Sequence, residues 1–141
     1  MTNRLHVKVA VYLVLEREGT YLLLQRCNTG YCDGLYSLPA GHVDEGETPT
    51  QALARESQEE IGVTVAEHDL HLVHVICRRN QYINLFFRAH CWQGEPQNRE
   101  PHKCSELVWR SLHQMLGKLA PEVAAGLTGL EAGRPYTELA L

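Results

Sequence analysis

The sequence predicts an α/β (α+β) fold in which a mixed β-sheet packs against helices. Residues 7–13 alternate between apolar and polar or small side chains, which is typical of a strand. Residues 20–26, "TYLLLQR", form a short apolar run that indicates a strand buried on both faces. Residues 48–62 carry start and stop signals of one helix. Strands on either side of a helix favour a mixed sheet with helices packed on it.

The N-terminal third is predicted to contain three strands before the helix. The first spans residues 5–15 and ends at the turn "REG", and the second spans residues 20–26. Residues 27–34, "CNTGYCDG", have the composition of a loop. "LYSLP" predicts a brief strand that Pro39 ends.

The helix is predicted from its caps. Thr48 is a suitable N-cap, Pro49 suits the first helical position, and Gln51 completes a capping box with Thr48. Gly62 is the stop signal, because glycine adopts the left-handed conformation that commonly ends a helix.

The second half is predicted to add three strands and a terminal helix. We expect strands over residues 63–79 and 81–95 that form a hairpin near residues 79–81, then a polar loop, a last strand and a helix. The loop, last strand and helix are assigned to residues 94–104, 105–112 and 120–133.

The composition indicates one ordinary globular domain over residues 1–141, with 44% apolar and 21% charged residues. A net charge of −4 argues against a nucleic-acid polymer or an acidic membrane as the partner. Five cysteines without a C-x-x-C pair favour reduced thiols and a cytoplasmic location. No segment reaches transmembrane length, and no cleavable signal peptide is recognised. A homodimer is left open, since the sequence does not indicate the oligomeric state.

Three glutamates, Glu56, Glu59 and Glu60, lie within five positions of the predicted helix. At about 100° per residue they form one stripe, and a separate stripe that includes Ser57 faces the core. Arg55 lies one turn before Glu59, where it can pair with a carboxylate or orient it.

This acidic stripe has two explanations. A solvated helix face tolerates it, because like-charge pairs one turn apart cost only about 0.2–0.5 kcal/mol. A magnesium site also explains it, because Mg²⁺ is usually bound by one or two carboxylates together with waters and substrate phosphates. The stripe alone does not distinguish the two.

A wider pattern surrounds the stripe, since residues 41–63 read "GHVDEGETPTQALARESQEEIGV". This segment resembles the Nudix hydrolase signature: G, five residues, E, seven residues, R-E, an aliphatic, any residue, E-E, any residue, G and an aliphatic. The matching residues are Gly41, Glu47, Arg55, Glu56, Glu59, Glu60, Gly62 and Val63. Ser57 departs from the pattern, but at a core-facing position that bears on packing more than on chemistry. The box covers 23 of the 141 residues.

The resemblance implies an α/β/α sandwich in which the box forms loop, helix and loop. It also implies Mg²⁺, or Mn²⁺, bound by Glu56, Glu59 and Glu60. The backbone carbonyl of Ala40 is a further implied ligand, because residues 39–41 stand where the family has its metal-facing loop.

The same resemblance implies the catalytic roles. Glu56 would also be the base for the attacking water, Arg55 would orient a glutamate, and Glu47 would support the loop or a water-mediated metal contact. The family reaction is hydrolysis of a nucleoside diphosphate linked to another group, by attack at phosphorus.

Outside the box, candidates are fewer. Arg26, just before the loop that leads into the box, is a candidate phosphate ligand, with a surface arginine as the alternative. A further acid often serves such sites, and Glu100 and Glu106 are the candidates, with Glu95 less favoured. The aromatic residues considered for stacking on a base are Tyr12, Tyr36, Tyr82, Phe86 and Trp109.

The substrate class is predicted mainly by excluding branches of the family whose sequence motifs are missing here. No proline follows the box before Pro96, unlike in ADP-ribose hydrolases, and the "SQPWPFP" array of the NADH-hydrolysing branch is absent. The chain is therefore most similar to MutT-type nucleoside triphosphate pyrophosphohydrolases, which act on a small-molecule nucleotide. The alternatives are a dinucleoside polyphosphate hydrolase, for which Tyr82 is a loose match, a nucleotide-sugar hydrolase, and a non-catalytic nucleotide-binding module. Such modules usually lose box glutamates, and this chain retains them.

Overall fold

Nine strands and two α-helices form within residues 2–140, the part of the chain that this computed structural model describes. The strands are β1 (Lys8–Val14), β2 (Glu16–Arg17), β3 (Thr20–Arg26), β4 (Tyr36–Ser37), β5 (Ala40–His42), β6 (Leu70–Arg78), β7 (Tyr82–Ala89), β8 (Cys104–Arg110) and β9 (Tyr136–Leu139). The helices are α1 (Pro49–Ile61) and α2 (Pro121–Glu131).

The larger sheet is mixed and has the strand order β5-β1-β7-β6-β9. β1 runs parallel to β7, and β6 runs parallel to β9. β5 is antiparallel to β1, and β6 is antiparallel to β7. In the smaller sheet, β3 pairs antiparallel with β2, β4 and β8.

Two hydrophobic clusters lie on opposite faces of the larger sheet. Tyr12 and Phe86 belong to the cluster that includes Val123 of α2. Their neighbours Val11 and Phe87 belong to the cluster under α1. Because successive residues of a strand point to opposite faces, each helix covers its own face of the sheet. The predicted α/β/α sandwich with a mixed sheet is confirmed.

The predicted capping of α1 is confirmed. The Thr48 hydroxyl accepts a hydrogen bond from the Gln51 backbone N–H at 3.3 Å, and Gln51 Oε1 accepts one from the Thr48 N–H at 2.9 Å. Gly62 ends the helix at φ 70°, in the left-handed region. α1 therefore begins and ends where local signals place it.

The strand over residues 20–26 and the loop over residues 27–34 are also confirmed. Leu23 joins the cluster on the α2 side and Leu22 the cluster on the α1 side, so β3 is buried on both faces as predicted. β6 and β7 form the predicted hairpin, closed by a bond from the Gln81 N–H to the Arg78 carbonyl.

Three strand boundaries are corrected. The strand predicted over residues 81–95 ends at Ala89. The first strand begins at Lys8 rather than Leu5 and ends at Val14. The strand predicted from Val63 begins only at Leu70, because residues 63–69 pair with another segment only at Thr64 and include a 3₁₀ turn. Val63 and Val65 of this segment are buried although neither lies in a strand.

The strand predicted at residues 105–112 and the helix predicted at residues 120–133 are confirmed as β8 and α2. They are not the last elements, however, because β9 follows α2 and pairs with β6. Its four residues give too short a pattern for a sequence-based assignment. Buried His74 fixes this strand: Nε2 lies 2.9 Å from Thr137 Oγ1, and Nδ1 lies 2.7 Å from the Arg134 carbonyl.

All five cysteines are free. Neither helix in residues 2–140 has the length and hydropathy that a bilayer-spanning helix requires.

Candidate active site

A cavity of about 830 Å³ runs along one end of the larger sheet. One part of its wall is acidic and carries the box glutamates of α1 together with Glu100 from the loop between β7 and β8. Another part contains Arg78, Tyr82 and Glu122. Segments far apart in sequence therefore build a single site.

The acidic stripe predicted on α1 faces this cavity. Glu56, Glu59 and Glu60 all line it, whereas Ser57, on the predicted core-facing stripe, is buried. The Ser57 hydroxyl donates to the Leu53 carbonyl at 2.7 Å. The departure from the family pattern is thus satisfied inside the helix and does not touch the acidic wall.

Two of these carboxyl groups have perturbed protonation. Burial raises the pKa of Glu60 to about 8, although the Ala40 N–H donates to its Oε1 at 3.1 Å and opposes the shift. Burial likewise raises the pKa of Glu56, against the effect of the Arg55 guanidinium, and the neighbouring Glu59 and Glu100 add to the rise. In the absence of a cation, both shifts favour the neutral carboxyl groups over the charged carboxylates.

Gly41 lies directly against one of these glutamates. A Cβ atom at this position would overlap the Cγ and Cδ atoms of Glu56, far inside van der Waals contact. Glycine is needed here because the Glu56 side chain passes over the β5 backbone.

Arg55 connects the loop before α1 to the glutamates. Its Nε donates to Glu47 Oε2 at 2.7 Å, and its Nη1 donates to Glu56 Oε1 at 2.9 Å. A longer bond of 3.4 Å reaches Glu59. The hydrogen bonds from Arg55 and from the Asp44 N–H lower the pKa of Glu47 to about 2. Arg55 is thus placed to orient Glu56, and Glu47 in turn holds Arg55.

The donor set of the acidic wall fits a hard divalent cation. Carboxylate oxygens are the ligands that Mg²⁺ and Mn²⁺ prefer. A bound cation would stabilise the ionised forms of Glu56 and Glu60, which burial disfavours. Within residues 2–140 no three His, Cys, Asp or Glu side chains already surround a common point. Arg55 holds one oxygen of Glu56, and the Ala40 N–H holds one of Glu60.

Only some of the site residues predicted outside the box lie in the cavity wall. Arg26, Tyr82 and Ala40 line the cavity with Glu100. Glu106 does not line the cavity. It lies on β8, opposite Gln25 of β3, and its carboxylate accepts a hydrogen bond from the Tyr36 hydroxyl.

Two bonds hold Arg26 in the cavity wall. Its Nε donates to the Tyr31 carbonyl at 2.7 Å, and its Nη2 donates to Thr29 Oγ1 at 3.1 Å. Both partners belong to the loop over residues 27–34, so this loop sets the position of the guanidinium.

The aromatic candidates separate by location. Tyr12 and Tyr82 line the cavity, and Phe86 lies in the core, stacked on Tyr12 with ring centroids 4.6 Å apart. Tyr36 and Trp109 are not among the residues that line the cavity.

The cavity-wall residues that sequence reasoning missed include Tyr31, Arg78, Lys103 and Glu122. Each stands in a loop or at the end of a strand or helix, where no local pattern marks it. The weak signals available were an aromatic residue in the loop after Arg26 and an acid directly after the helix-starting Pro121.

Comparison with known proteins agrees with this geometry. A family model described as "NUDIX domain" matches residues 4–128. The chain is 35% identical over 95 residues to an 8-oxo-dGTP diphosphatase of Haemophilus influenzae, covering 67% of this chain and 70% of that protein. It is 30% identical over 133 residues to a CTP pyrophosphohydrolase of Escherichia coli, covering 89% of this chain and 94% of that protein.

Solved structures give the same result. The MutT NUDIX hydrolase from Burkholderia pseudomallei superposes with a TM-score of 0.79 at 26% identity, covering 87% of this chain and 97% of that chain. The E. coli ORF135 protein superposes with a TM-score of 0.73 at 27% identity, covering 93% of this chain and 95% of that chain. Since the family model spans most of the sequence and the box residues gather along one cavity, the chain belongs to the Nudix hydrolase family.

Proposed function

We propose that this protein hydrolyses a nucleoside triphosphate to a monophosphate and pyrophosphate, with Mg²⁺ or Mn²⁺ bound by Glu56, Glu59 and Glu60. The observation that carries this proposal is the single cavity in which the box glutamates and Glu100 form an acidic wall beside Arg26. The volume of about 830 Å³ is within the range of small-molecule sites.

Each residue of the proposed site has a separate role in the reaction. A divalent cation bound here supplies neutralisation of phosphate charge and activation of the attacking water. Glu56 accepts the proton that the water loses as its oxygen bonds to phosphorus, and the bridging P–O bond breaks to release pyrophosphate. Arg55 orients Glu56, and Glu47 holds Arg55. Arg26 donates to a substrate phosphate.

The names of the relatives support a nucleoside triphosphate. The H. influenzae relative is named for 8-oxo-dGTP and the E. coli relative for CTP. Both are triphosphates that differ only in sugar and base, so they agree on the phosphate chemistry while leaving the base open.

Three further parts of the proposal rest on the sequence. One Nudix domain over residues 1–141 is supported by the family match to residues 4–128. Small nucleotides rather than nucleic-acid polymers or membranes are the expected partners, given the net charge of −4. The five free thiols favour the cytoplasm.

A Glu56→Gln variant tests the catalytic assignment. It keeps the shape of the side chain and removes the proton acceptor, so we expect metal-dependent hydrolysis to fall by at least about 10²-fold. The fold should persist, because burial already disfavours the charged form of Glu56. Phosphate release and the melting temperature are measured together. Glu45→Gln is the matched control, an exposed glutamate of the same box, and should leave turnover unchanged. Turnover by Glu56→Gln at the parental rate would refute the role of Glu56.

A substrate screen separates the alternative functions. Phosphate release is measured with nucleoside triphosphates, nucleotide sugars and dinucleoside polyphosphates, each with Mg²⁺ or Mn²⁺. The triphosphates should be cleaved fastest. Preference for either other class would replace the substrate assignment, and binding without cleavage of any class would favour the non-catalytic module.

A further inference from the structure

One end of the cavity carries a group of polar and aromatic residues that the phosphate chemistry does not use. The Arg78 guanidinium lies 5.8 Å from the centre of the Tyr31 ring and 5.7 Å from that of Tyr82. Glu122 lines the same part of the cavity. These residues come from four separate segments, so the arrangement is a product of the fold.

Glu122 is a buried acid, only 3% exposed. It is the second residue of α2, where the positive end of the helix dipole stabilises a carboxylate. The Tyr31 hydroxyl donates to its Oε2 at 2.7 Å, and Arg78 Nη1 lies 3.8 Å from the same oxygen, too far for a hydrogen bond. Both contacts use Oε2, which leaves Oε1 to accept from a ligand.

Unsatisfied polar atoms occur on Arg78, beside this carboxylate, and on Asn84 of β7. Arg78 Nε and both amide atoms of Asn84 are buried without a hydrogen-bond partner. Asn84 lies on the same face of β7 as Tyr82 and pairs with Ala10, which lines the cavity. Buried polar atoms are normally paired, so Arg78, which lines the cavity, has a donor to offer to a ligand.

We propose that Glu122 and Arg78 bind the base of the nucleotide and select a base that carries an exocyclic amino group. This inference rests on the proposed function, because it assigns the part of the substrate that the acidic wall does not hold. The amino group donates to Glu122 Oε1. Arg78 donates to a ring nitrogen or carbonyl of the same base, and the ring lies against the aromatic side chains of Tyr31 and Tyr82.

The selectivity follows from the charge on Glu122. An amino group presents N–H donors to the carboxylate, whereas a carbonyl at the same place presents a second acceptor and is repelled. A base without the amino group leaves the buried carboxylate oxygen unpaired, which is costly. Cytosine is therefore preferred to uracil, and guanine to hypoxanthine.

Matched nucleotide pairs test the proposal in the parent enzyme. CTP and UTP differ only in an amino group or a carbonyl at one position of the ring, and GTP and ITP only in the presence of one amino group. We expect kcat/KM to favour the amino-bearing member by roughly tenfold or more in each pair that is hydrolysed. Equal kcat/KM within both pairs would overturn the proposal.

A Glu122→Gln variant assigns the selectivity to its residue. The amide keeps the size of the side chain but turns donors toward the amino group, so the CTP/UTP ratio should fall at least about fivefold. The matched control is Glu131→Gln, since Glu131 also lies on α2 and accepts from a tyrosine hydroxyl, Tyr21, at 2.7 Å but away from the cavity. A parental ratio in Glu122→Gln would contradict the role of Glu122.

A second variant keeps the proposal testable if Glu122→Gln folds poorly. Tyr31→Phe removes the hydroxyl that holds Glu122 and leaves the carboxylate in place. The CTP/UTP ratio should fall less than in Glu122→Gln, and an unchanged ratio would show that Tyr31 does not position the carboxylate.

Binding of the product monophosphates separates this inference from the proposed function. Affinities for CMP and UMP, and for GMP and IMP, need no turnover. If no nucleotide is hydrolysed but CMP and GMP bind more tightly than their partners, base selection stands and the proposed hydrolysis fails. If nucleotides are hydrolysed but neither pair of monophosphates is distinguished in binding, the proposed hydrolysis stands and base selection fails.

Discussion

At the level of single residues, the site depends on close packing at a few positions, where an added side-chain atom would overlap a neighbouring residue. Gly41 and Glu56 are the clearest case, because the glutamate side chain fills the volume of a Cβ at position 41. Ser57 shows the opposite, since its hydroxyl is satisfied by the Leu53 carbonyl and faces away from the acidic wall. The segment that matches the family signature therefore mixes residues proposed for chemistry with residues that only pack.

A Gly41→Ala variant should be inactive but folded. The added methyl group must displace the Glu56 carboxylate, and a displacement of about 1 Å can cost roughly 10²-fold in rate. The melting temperature should change little, because the atoms that move belong to a flexible side chain beside the cavity. Steady-state hydrolysis and thermal melting are compared with those of Ser57→Ala, which should keep full activity. Parental kcat/KM in Gly41→Ala would show that the position of Glu56 does not limit the reaction.

At the level of elements, the connection between β5 and α1 is fixed to the helix through charge. Arg55 of α1 binds Glu47 of the connection at 2.7 Å, and the Asp44 N–H donates to the same carboxylate at 3.0 Å. The connection is thereby tied to the helix that carries the glutamates.

This tie predicts an acid-dependent loss of stability. The pKa of Glu47 is lowered to about 2 by Arg55 and the Asp44 N–H, below its unfolded value of about 4.3. A lowered pKa contributes stability above the unfolded value and loses it as the pH falls toward 2. The melting temperature of Glu47→Gln should therefore lie below that of the parent at neutral pH, and the gap should narrow below about pH 4.5. A gap that stays constant down to pH 3 would argue against the linkage.

α2 shows how an element can depend on its neighbours. The sequence marks it as a weak helix interrupted by glycines. A Cβ on Gly126 would collide with the Phe86 ring, and one on Gly129 with the His74 ring. The glycines lower helix propensity but let the helix pack closely on the sheet, and this brings Glu122 to the cavity.

At the level of the whole molecule, the acidic wall links metal binding to folding. Its carboxylates repel one another in the folded chain and are farther apart when it unfolds, so a divalent cation should bind the folded state more tightly. The wall, and not the net charge of −4, is the source of this effect.

Adding Mg²⁺ or Mn²⁺ should raise the melting temperature in a concentration-dependent way. At 100 times the dissociation constant the gain is about 2.7 kcal/mol, or several degrees for a chain of this size. A chelator should reverse the rise, and Glu60→Gln should reduce it while Glu131→Gln retains it. An equal rise in Glu60→Gln would place the bound ion elsewhere.

Local signals were sufficient for α1, β3 and the box. The capping bonds of Thr48 and Gln51 and the stop at Gly62 form between residues at most a few positions apart, so the chain itself specifies them. The stripe of glutamates follows from helical geometry alone. These features determine which residues can bind a metal and which face the core.

The remaining features depended on strand pairing. The sequence offered Glu100 and Glu106 equally as the additional acid, and only Glu100 lies in the cavity. β9 was not predicted, because its place beside β6 is set by pairing and by His74 rather than by its own short pattern. Tyr31, Arg78 and Glu122 meet only after the sheet and α2 have assembled. Contacts between distant segments depend on sheet order, register and close packing, and local periodicity carries no information about these.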